Sequence, residues 1–295
     1  MKKPRRDRTD LEPLDPFLHQ GVQIETERSF DGSREFLESS VTVFLTGAEC
    51  PFQCVFCDLW RYTLDGPTLP GALPRQLATA LKDVEGADRT GLLKLYNASN
   101  WFEERAVPER DDLPIAELGA DFRRVVVESH ARLVGTRCRR FGEALEGRLQ
   151  VALGVETVHP EALAQLNKGV TLEDLQRAAN KLLVWDLEIR TFVLIGAPFV
   201  PENESVDWTV RSCELSLELG AVAVSLIPLR PTSPDLVPPT LDQVEEAWMR
   251  GRALSSAVQL DVWDLDRMVV DDDSHARVLR LRQEQLELAN SKDRP

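Results

Sequence analysis

The chain lacks the features that would place it in a membrane or in an oxidising compartment. None of its apolar runs reaches the roughly 18 residues that a membrane-spanning helix needs, and the basic first six residues are not followed by the apolar core of a signal peptide. Its five cysteines do not form a disulfide framework, because three are clustered while Cys138 and Cys213 stand alone. We therefore expect a cytoplasmic, reduced protein without membrane association.

Positive charge is also scarce. The 35 Lys and Arg residues are outnumbered by 49 Asp and Glu residues, which gives a net charge of -14. Because phosphate binding is driven mainly by Lys and Arg, this balance excludes extensive contact with nucleic acid unless a partner supplies the charge. Five of the first eight residues are basic, which is typical of a short solvated tail.

What the chain does have is a cysteine cluster, Cys50, Cys54 and Cys57, directly after an apolar run at residues 41–45. Thiolates this close together repel one another, so such a loop is usually a zinc or iron-sulfur site. A structural zinc site normally needs four protein ligands, and no His or Cys occurs at residues 58–129. Three thiolates suit a four-iron cluster with one open iron, with a zinc loop or chance clustering as alternatives.

Apolar runs of strand length alternate with longer segments of helical period, which is typical of a parallel α/β fold. The predicted strands are residues 41–45, 92–96, 125–128, 151–155, 189–195 and 221–227. The predicted helices are residues 73–81, 141–145, 172–185, 205–219, 241–254 and 278–288. Thr171 and Asp174 have the pattern of a capping box before one of these helices. Right-handed crossovers would roll these units into a partial barrel.

The expected organisation has three parts. Residues 1–38 are predicted to be an N-terminal extension, residues 39–230 the barrel, and residues 231–295 a helical segment that caps it. The fold class is therefore α/β, a partial (β/α)6 TIM-like barrel with flanking segments.

The Cys-x3-Cys-x2-Cys spacing, with Phe56 before the last cysteine, resembles the hallmark of the radical S-adenosylmethionine (radical SAM) enzymes. The resemblance implies a [4Fe-4S] cluster on these three cysteines and S-adenosylmethionine chelated by the open iron. It also implies reductive cleavage of that cofactor to a 5'-deoxyadenosyl radical, with an electron donor such as flavodoxin or ferredoxin. The catalytic residues, the substrate and the fate of the cofactor do not follow from the motif.

Polar residues at the ends of the predicted strands are the candidate cofactor contacts. A carboxylate at the end of a buried strand is costly unless it is paired or ligand-bound, which singles out Glu128 and Glu156. The resemblance implies that Glu156 binds the ribose hydroxyls, and Glu128 is a second candidate contact with the cofactor. The Gly-Gly-Glu turn common in the family is absent, and Asn97 and Ser99 stand where it would bind the methionine amine.

Three further contacts are implied by the same resemblance. Arg190, at the start of its strand, would face the methionine carboxylate. Backbone atoms of Ile227 and Pro228 would pair with adenine, whose face would pack on Phe56.

The cysteine loop and three other segments, at residues 94–98, 128–130 and 166–169, are similar to bacterial relatives of the radical SAM subunit of archaeosine synthase, in the elongator-type branch. That similarity implies an alternative function, modification of a transfer RNA base together with a partner. A further alternative is a non-catalytic iron-sulfur protein in which Cys138 supplies the fourth ligand.

A group of arginines after the third predicted strand bears on the substrate. The group consists of Arg132, Arg137, Arg139 and Arg140. On the catalytic face it would favour an anionic substrate, with His130 as proton donor or acceptor. In the other interpretation these arginines pair with nearby carboxylates.

Overall fold

The computed structural model describes residues 6–30 and 34–288. Three of the five basic residues of the N-terminal tail, Lys2, Lys3 and Arg5, lie outside the described residues, as do residues 31–33 and 289–295. Within the described ranges, no helix is both long and apolar enough to cross a membrane.

The core of the molecule is a nearly closed, barrel-shaped sheet of eight strands that follow one another in chain order. The strands are β1 (Gly21–Phe30), β2 (Glu35–Phe44), β3 (Leu92–Tyr96), β4 (Arg124–Ser129), β5 (Arg148–Glu156), β6 (Glu188–Ile195), β7 (Ala221–Pro228) and β8 (Val258–Leu260). β1 runs antiparallel to β2, and all other neighbours are parallel. The predicted fold class, an α/β partial TIM-like barrel, is confirmed.

Helices connect the parallel strands. They are α1 (Ala72–Asp83), α2 (Asp112–Leu118), α3 (Thr136–Ala144), α4 (Pro160–Gln165), α5 (Leu172–Val184), α6 (Ser205–Glu218), α7 (Leu241–Leu254) and α8 (Asp272–Gln285). In α5 the buried residues Leu175, Ala178, Ala179 and Leu182 recur at helical spacing and form the face that packs on the sheet. The predicted capping box before this helix is present.

The six predicted strands correspond to β2 through β7, and the sheet gains one strand on each side. β1 lies within residues 1–38 and β8 within residues 231–295, so the sheet extends into both flanking segments. The N-terminal half of β1 is partly or fully exposed, so it lacks the continuous apolar run by which the buried parallel strands were recognised. The short helices α2 and α4 were also not predicted.

Side chains join the two ends of the sheet. Arg28 of β1, which is fully buried, donates from Nη2 to the carbonyl oxygen of Val258 in β8 over 2.9 Å. Gln259 of β8 donates from Nε2 to the carbonyl oxygen of Arg28. These bonds satisfy backbone groups at the sheet edges that would otherwise be unpaired.

A buried charge network fills part of the barrel interior. Glu27 of β1 forms ion pairs with Lys94 of β3 and Arg190 of β6. Arg190 also donates to Gln150 Oε1 at 2.7 Å and to Ser225 Oγ at 3.3 Å. Burial alone would raise the pKa of Glu27, but the two cations outweigh it and hold the pKa at about 2.

Candidate functional site

The cysteine loop leaves the carboxyl end of β2, the edge of the barrel where parallel α/β folds carry their chemistry. Gln76 of α1 holds the start of this loop, accepting the backbone N–H of Thr46 at 2.7 Å and donating to its carbonyl oxygen at 2.9 Å. The three loop cysteines are partly buried and free of disulfides. The loop is therefore anchored at the rim with its thiols available.

The thiols influence one another electrostatically. Burial raises the pKa of Cys54 and of Cys57 to about 11, and a neighbouring thiolate adds to the rise in each case, Cys50 for Cys54 and Cys54 for Cys57. A metal centre that accepts thiolate charge would relieve this cost. The donor set thus fits a cluster with three thiolate ligands, although in the described part of the chain no three Cys, His, Asp or Glu side chains are already grouped as a metal site.

Asn100 links the cysteine loop to the corner after β4. Its side chain is 5% exposed, donates from Nδ2 to Cys50 Sγ at 3.0 Å and accepts the backbone N–H of His130 at 2.6 Å. Sequence reasoning assigned no role to this residue, although it stands in the turn that contains Asn97 and Ser99.

His130 organises that corner. Its ring stacks on Phe52 with centroids 3.7 Å apart, Nδ1 accepts the backbone N–H of Arg132 at 3.2 Å, and Nε2 lies 3.1 Å from the carbonyl oxygen of Lys168. Because Nδ1 accepts, Nε2 carries the proton and donates. Burial lowers the pKa of His130 to about 4, so the ring is neutral with both nitrogens engaged, and the proton-transfer role expected from the sequence has no free nitrogen.

A buried ion pair lies beside the thiols. Lys168 Nζ is 2.5 Å from Glu156 Oε1, and both side chains are less than 10% exposed. A Cβ at Gly154 would overlap the ends of both charged side chains, so a larger residue there would have to displace the ion pair. Glu156 itself has a φ of 63° at a register irregularity between β5 and β6.

Lys168 lies at this site, and sequence reasoning assigned it no role. It stands between Asn167 and Gly169, both at positive φ, a turn that directs the chain back over the cysteine loop. Asn167 Nδ2 donates to the carbonyl oxygen of Gln53 at 2.7 Å. The charge of Lys168 favours the thiolate form of both Cys50 and Cys54. The available signal was the turn pattern of the 166–169 segment.

Glu128, at the end of β4, stays unpaired. Its carboxylate is partly exposed and forms no hydrogen bond or ion pair within the described residues. Burial raises its pKa to about 7, the charge of Glu156 adds to the rise, and Lys168 opposes it. A carboxyl group that titrates near neutrality at a strand end is suited to binding a ligand or transferring a proton.

The turn after β3 also has unused polar atoms. Asn97 is fully buried, and neither its Nδ2 nor the buried Ser99 Oγ has a hydrogen-bond partner in the part of the chain that the structure describes. Ala98 between them has a φ of 52°. Because buried polar atoms in proteins are nearly always bonded, these two atoms are suited to a ligand that the chain itself does not supply.

Two residues predicted to contact adenine, Phe56 and Ile227, lie at the same apolar cluster. Phe56 and Ile227 are both partly buried and pack against one apolar cluster of Leu194, Ala197 and Leu229. The carbonyl oxygen of Pro228 accepts a hydrogen bond from Arg267 at 3.0 Å.

Arg190 is directed elsewhere. Its donors point to Glu27, Gln150 and Ser225 inside the barrel, so the structure does not bring it to the cysteine loop.

The arginines after β4 are mostly paired. Arg137 binds both carboxylate oxygens of Asp112 at 2.8 Å. Ion pairs on the surface join Arg139 to Glu143 and Arg140 to Glu109. Arg132 donates to the carbonyl oxygen of Gly169 at 3.3 Å. The structure thus favours pairing within the protein over a shared anion site.

No family model matches the chain. An uncharacterised protein of Methanocaldococcus jannaschii is 23% identical over 141 residues, which make up 46% of this chain and 39% of that protein. Archaeosine synthase subunit beta of Thermococcus kodakarensis is 22% identical over 142 residues, 46% of this chain and 44% of that subunit. The chain therefore spans about two-fifths of the length of these relatives.

Solved structures show the same fold. Streptococcus suis SuiB bound to S-adenosylmethionine superposes with a TM-score of 0.55 at 11% identity, over 73% of this chain and 48% of SuiB. Elp3 of Methanocaldococcus infernus, with an N-terminal deletion, superposes with a TM-score of 0.51 at 12% identity, over 72% of this chain and 59% of Elp3. These structures share the fold of the chain, and the sequence match to archaeosine synthase subunit beta agrees with the resemblance to the radical SAM superfamily that the cysteine motif indicated.

Proposed function

We propose that this chain is a radical SAM enzyme that holds a [4Fe-4S] cluster on Cys50, Cys54 and Cys57. When bound, the cluster supplies the electron that cleaves S-adenosylmethionine to a 5'-deoxyadenosyl radical, which acts on a substrate still to be identified. The observation that carries this proposal is that three mutually interacting thiols share a barrel rim with unpaired buried polar atoms.

In this proposal, different polar groups at the rim contact different parts of S-adenosylmethionine. Lys168 Nζ and Asn97 Nδ2 are donors, so they suit the methionine carboxylate. Ser99 Oγ can accept from the methionine amine. The Glu156 carboxylate, already ordered by Lys168, accepts from the two ribose hydroxyls, and Glu128 lies next to it. Arg190, committed inside the barrel, is left without a contact in this arrangement.

The apolar cluster at the ends of β6 and β7 is the proposed adenine site. Phe56 and Ile227 both pack against it, and backbone groups near Pro228 would supply the polar contacts. A reduced flavodoxin or ferredoxin in the cytoplasm would deliver the electron.

A second candidate function follows from the match to archaeosine synthase subunit beta. As part of such an assembly, the chain would act on a base of transfer RNA. Its net charge of -14 means that a basic partner would supply most of the phosphate contacts. Binding of transfer RNA to the isolated chain at 0.15 M salt would argue against the need for a partner.

The non-catalytic alternative is weakened by the position of Cys138. This residue is fully buried in α3 within the main apolar core, so it can serve as a fourth cluster ligand only if that core opens.

Anaerobic reconstitution of single Cys→Ala variants tests the proposal. Loss of iron and sulfide is expected at each of the three loop positions, while Cys138→Ala and Cys213→Ala, the matched controls, should keep a full cluster. Addition of S-adenosylmethionine should change the electron paramagnetic resonance spectrum of the reduced protein, because the cofactor binds the open iron. Full iron retention in Cys54→Ala, or a spectrum that ignores the cofactor, would contradict the assignment.

A further inference from the structure

Asn100 donates a hydrogen bond from its side chain to a cysteine of the loop. We infer that its hydrogen bond to Cys50 Sγ raises the reduction potential of the cluster, which makes Asn100 a positioning residue for the redox centre. This inference rests on the proposed function, because it requires Cys50 to be a cluster ligand. The amide is 3.0 Å from the sulfur and nearly excluded from solvent.

The orientation of this amide is fixed by its other partner. Asn100 Oδ1 lies 2.6 Å from the backbone N–H of His130, a group that only donates. The oxygen must therefore face His130, which leaves the NH2 group facing the sulfur. His130 is itself held by the stacked ring of Phe52 and by the backbone of Lys168, so the donor is preorganised.

The hydrogen bonds to the cysteines are unequal. Cys50 receives the Asn100 amide as well as the backbone N–H of Phe52 at 3.4 Å. Cys57 is influenced by the backbone N–H of Leu59. Cys50 thus has a side-chain donor that mutation can remove without altering the backbone of the loop.

The direction of the effect follows from charge. Reduction adds an electron to the cluster, and part of that charge resides on the ligand sulfurs. A hydrogen-bond donor stabilises the reduced state more than the oxidised state and so raises the potential. Because the Asn100 amide does not titrate, its contribution should not change with pH.

Asn167 provides a matched control. Its Nδ2 also donates to the cysteine loop, but to the carbonyl oxygen of Gln53 at 2.7 Å and not to a sulfur. Asn100→Asp and Asn167→Asp each replace an amide NH2 by a carboxylate oxygen. Asn100→Leu removes the donor without adding charge.

The measurement is the midpoint potential of the reconstituted cluster, obtained by redox titration followed by electron paramagnetic resonance without S-adenosylmethionine. Asn100→Leu and Asn100→Asp should both lower the potential, and Asn167→Asp should lower it less than Asn100→Asp.

An unchanged potential in Asn100→Leu, or equal shifts in the two Asp variants, would overturn the inference. Loss of iron in both Asn100 variants would also overturn it, by assigning the residue to cluster retention. Failure of the wild-type protein to bind a cluster would reject the proposed function itself, and iron content, measured first, separates the two cases.

Discussion

Two buried glutamate–lysine pairs occupy the same barrel, and their surroundings differ. Glu27 and Lys94 lie in the interior, whereas Glu156 and Lys168 lie at the rim beside the thiols. The interior carboxylate has a second cation, Arg190, which is bonded in turn to Gln150. Within this network the charged groups therefore satisfy one another, whereas Arg28 Nε and Nη1, also buried on β1, have no hydrogen-bond partner among the described residues.

The rim is not satisfied in this way. Glu128 is unpaired next to Glu156, and the buried atoms Asn97 Nδ2 and Ser99 Oγ have no partner among the described residues. The difference teaches that a buried charge is not in itself a sign of function. A satisfied network stabilises the fold, and an unsatisfied one is suited to a ligand.

Removing charge from the interior network should have the largest effect on stability. Glu27→Gln leaves Lys94 and Arg190 buried without their shared carboxylate, and the loss of one partner of a buried ion pair typically costs about 3–5 kcal/mol. Urea unfolding should show this loss, whereas Glu25→Gln, an exposed neighbour on β1, should behave like wild type. A change below about 1 kcal/mol for Glu27→Gln would show that the interior network is not essential to the fold.

The difference between the interior network and the rim could be predicted only in part from the sequence. The strands β2 to β7 each contain a short apolar run, and this local pattern was enough to find them. Glu27 gave no local signal, because its burial depends on Lys94 and Arg190, which arrive from distant strands. Arg190 was predicted to contact the cofactor because its ion pair with Glu27, which lies on a distant strand, could not be seen in the local sequence.

At the rim, sequence reasoning found the thiols and both glutamates but missed their supports. Lys168 and Asn100 approach the site only because the 166–169 turn folds over the cysteine loop and the turn after β3 reaches the corner at His130. Contacts of this kind depend on tertiary packing, which residue spacing does not encode.

The unpaired Glu128 should make stability depend on pH. Its pKa is about 7 in the folded protein, against an ordinary value of 4.5. Between pH 4.5 and pH 7 the folded state therefore binds more protons than the unfolded state does. Stability should therefore fall as pH rises from 4.5 to 7 and level off above 7, a loss on the order of 3 kcal/mol. Glu128→Gln should remove this part of the pH dependence in urea unfolding at pH 5, 6, 7 and 8. An identical decline in wild type and variant would mean that Glu128 finds a partner in solution.

The rim pair should matter for the cofactor as well as for the fold, because Glu156→Gln also leaves Lys168 buried without its carboxylate. Glu156→Gln keeps the shape of the side chain but weakens acceptance from the ribose hydroxyls. We expect about a tenfold rise in the dissociation constant of S-adenosylmethionine, or about 1.4 kcal/mol, by calorimetry on the cluster-loaded protein. Glu161→Gln, on exposed α4 surface, is the control. An unchanged dissociation constant, with iron content equal to wild type, would remove Glu156 from the proposed site.

The smallest effect is expected at the arginines of α3, which extend the comparison to the protein surface. Arg139 and Arg140 are each more than half exposed and pair with Glu143 and Glu109. Exposed ion pairs contribute about 0–1 kcal/mol, and neither arginine contacts the cysteine loop. The double variant Arg139→Ala with Arg140→Ala should therefore unfold within about 0.5 kcal/mol of wild type and cleave S-adenosylmethionine at an unchanged rate. Once a substrate is known, its Michaelis constant should also be unaltered. A rise in that constant alone, with cofactor cleavage intact, would show that these pairs open to hold an anionic substrate and would place part of the substrate surface at α3.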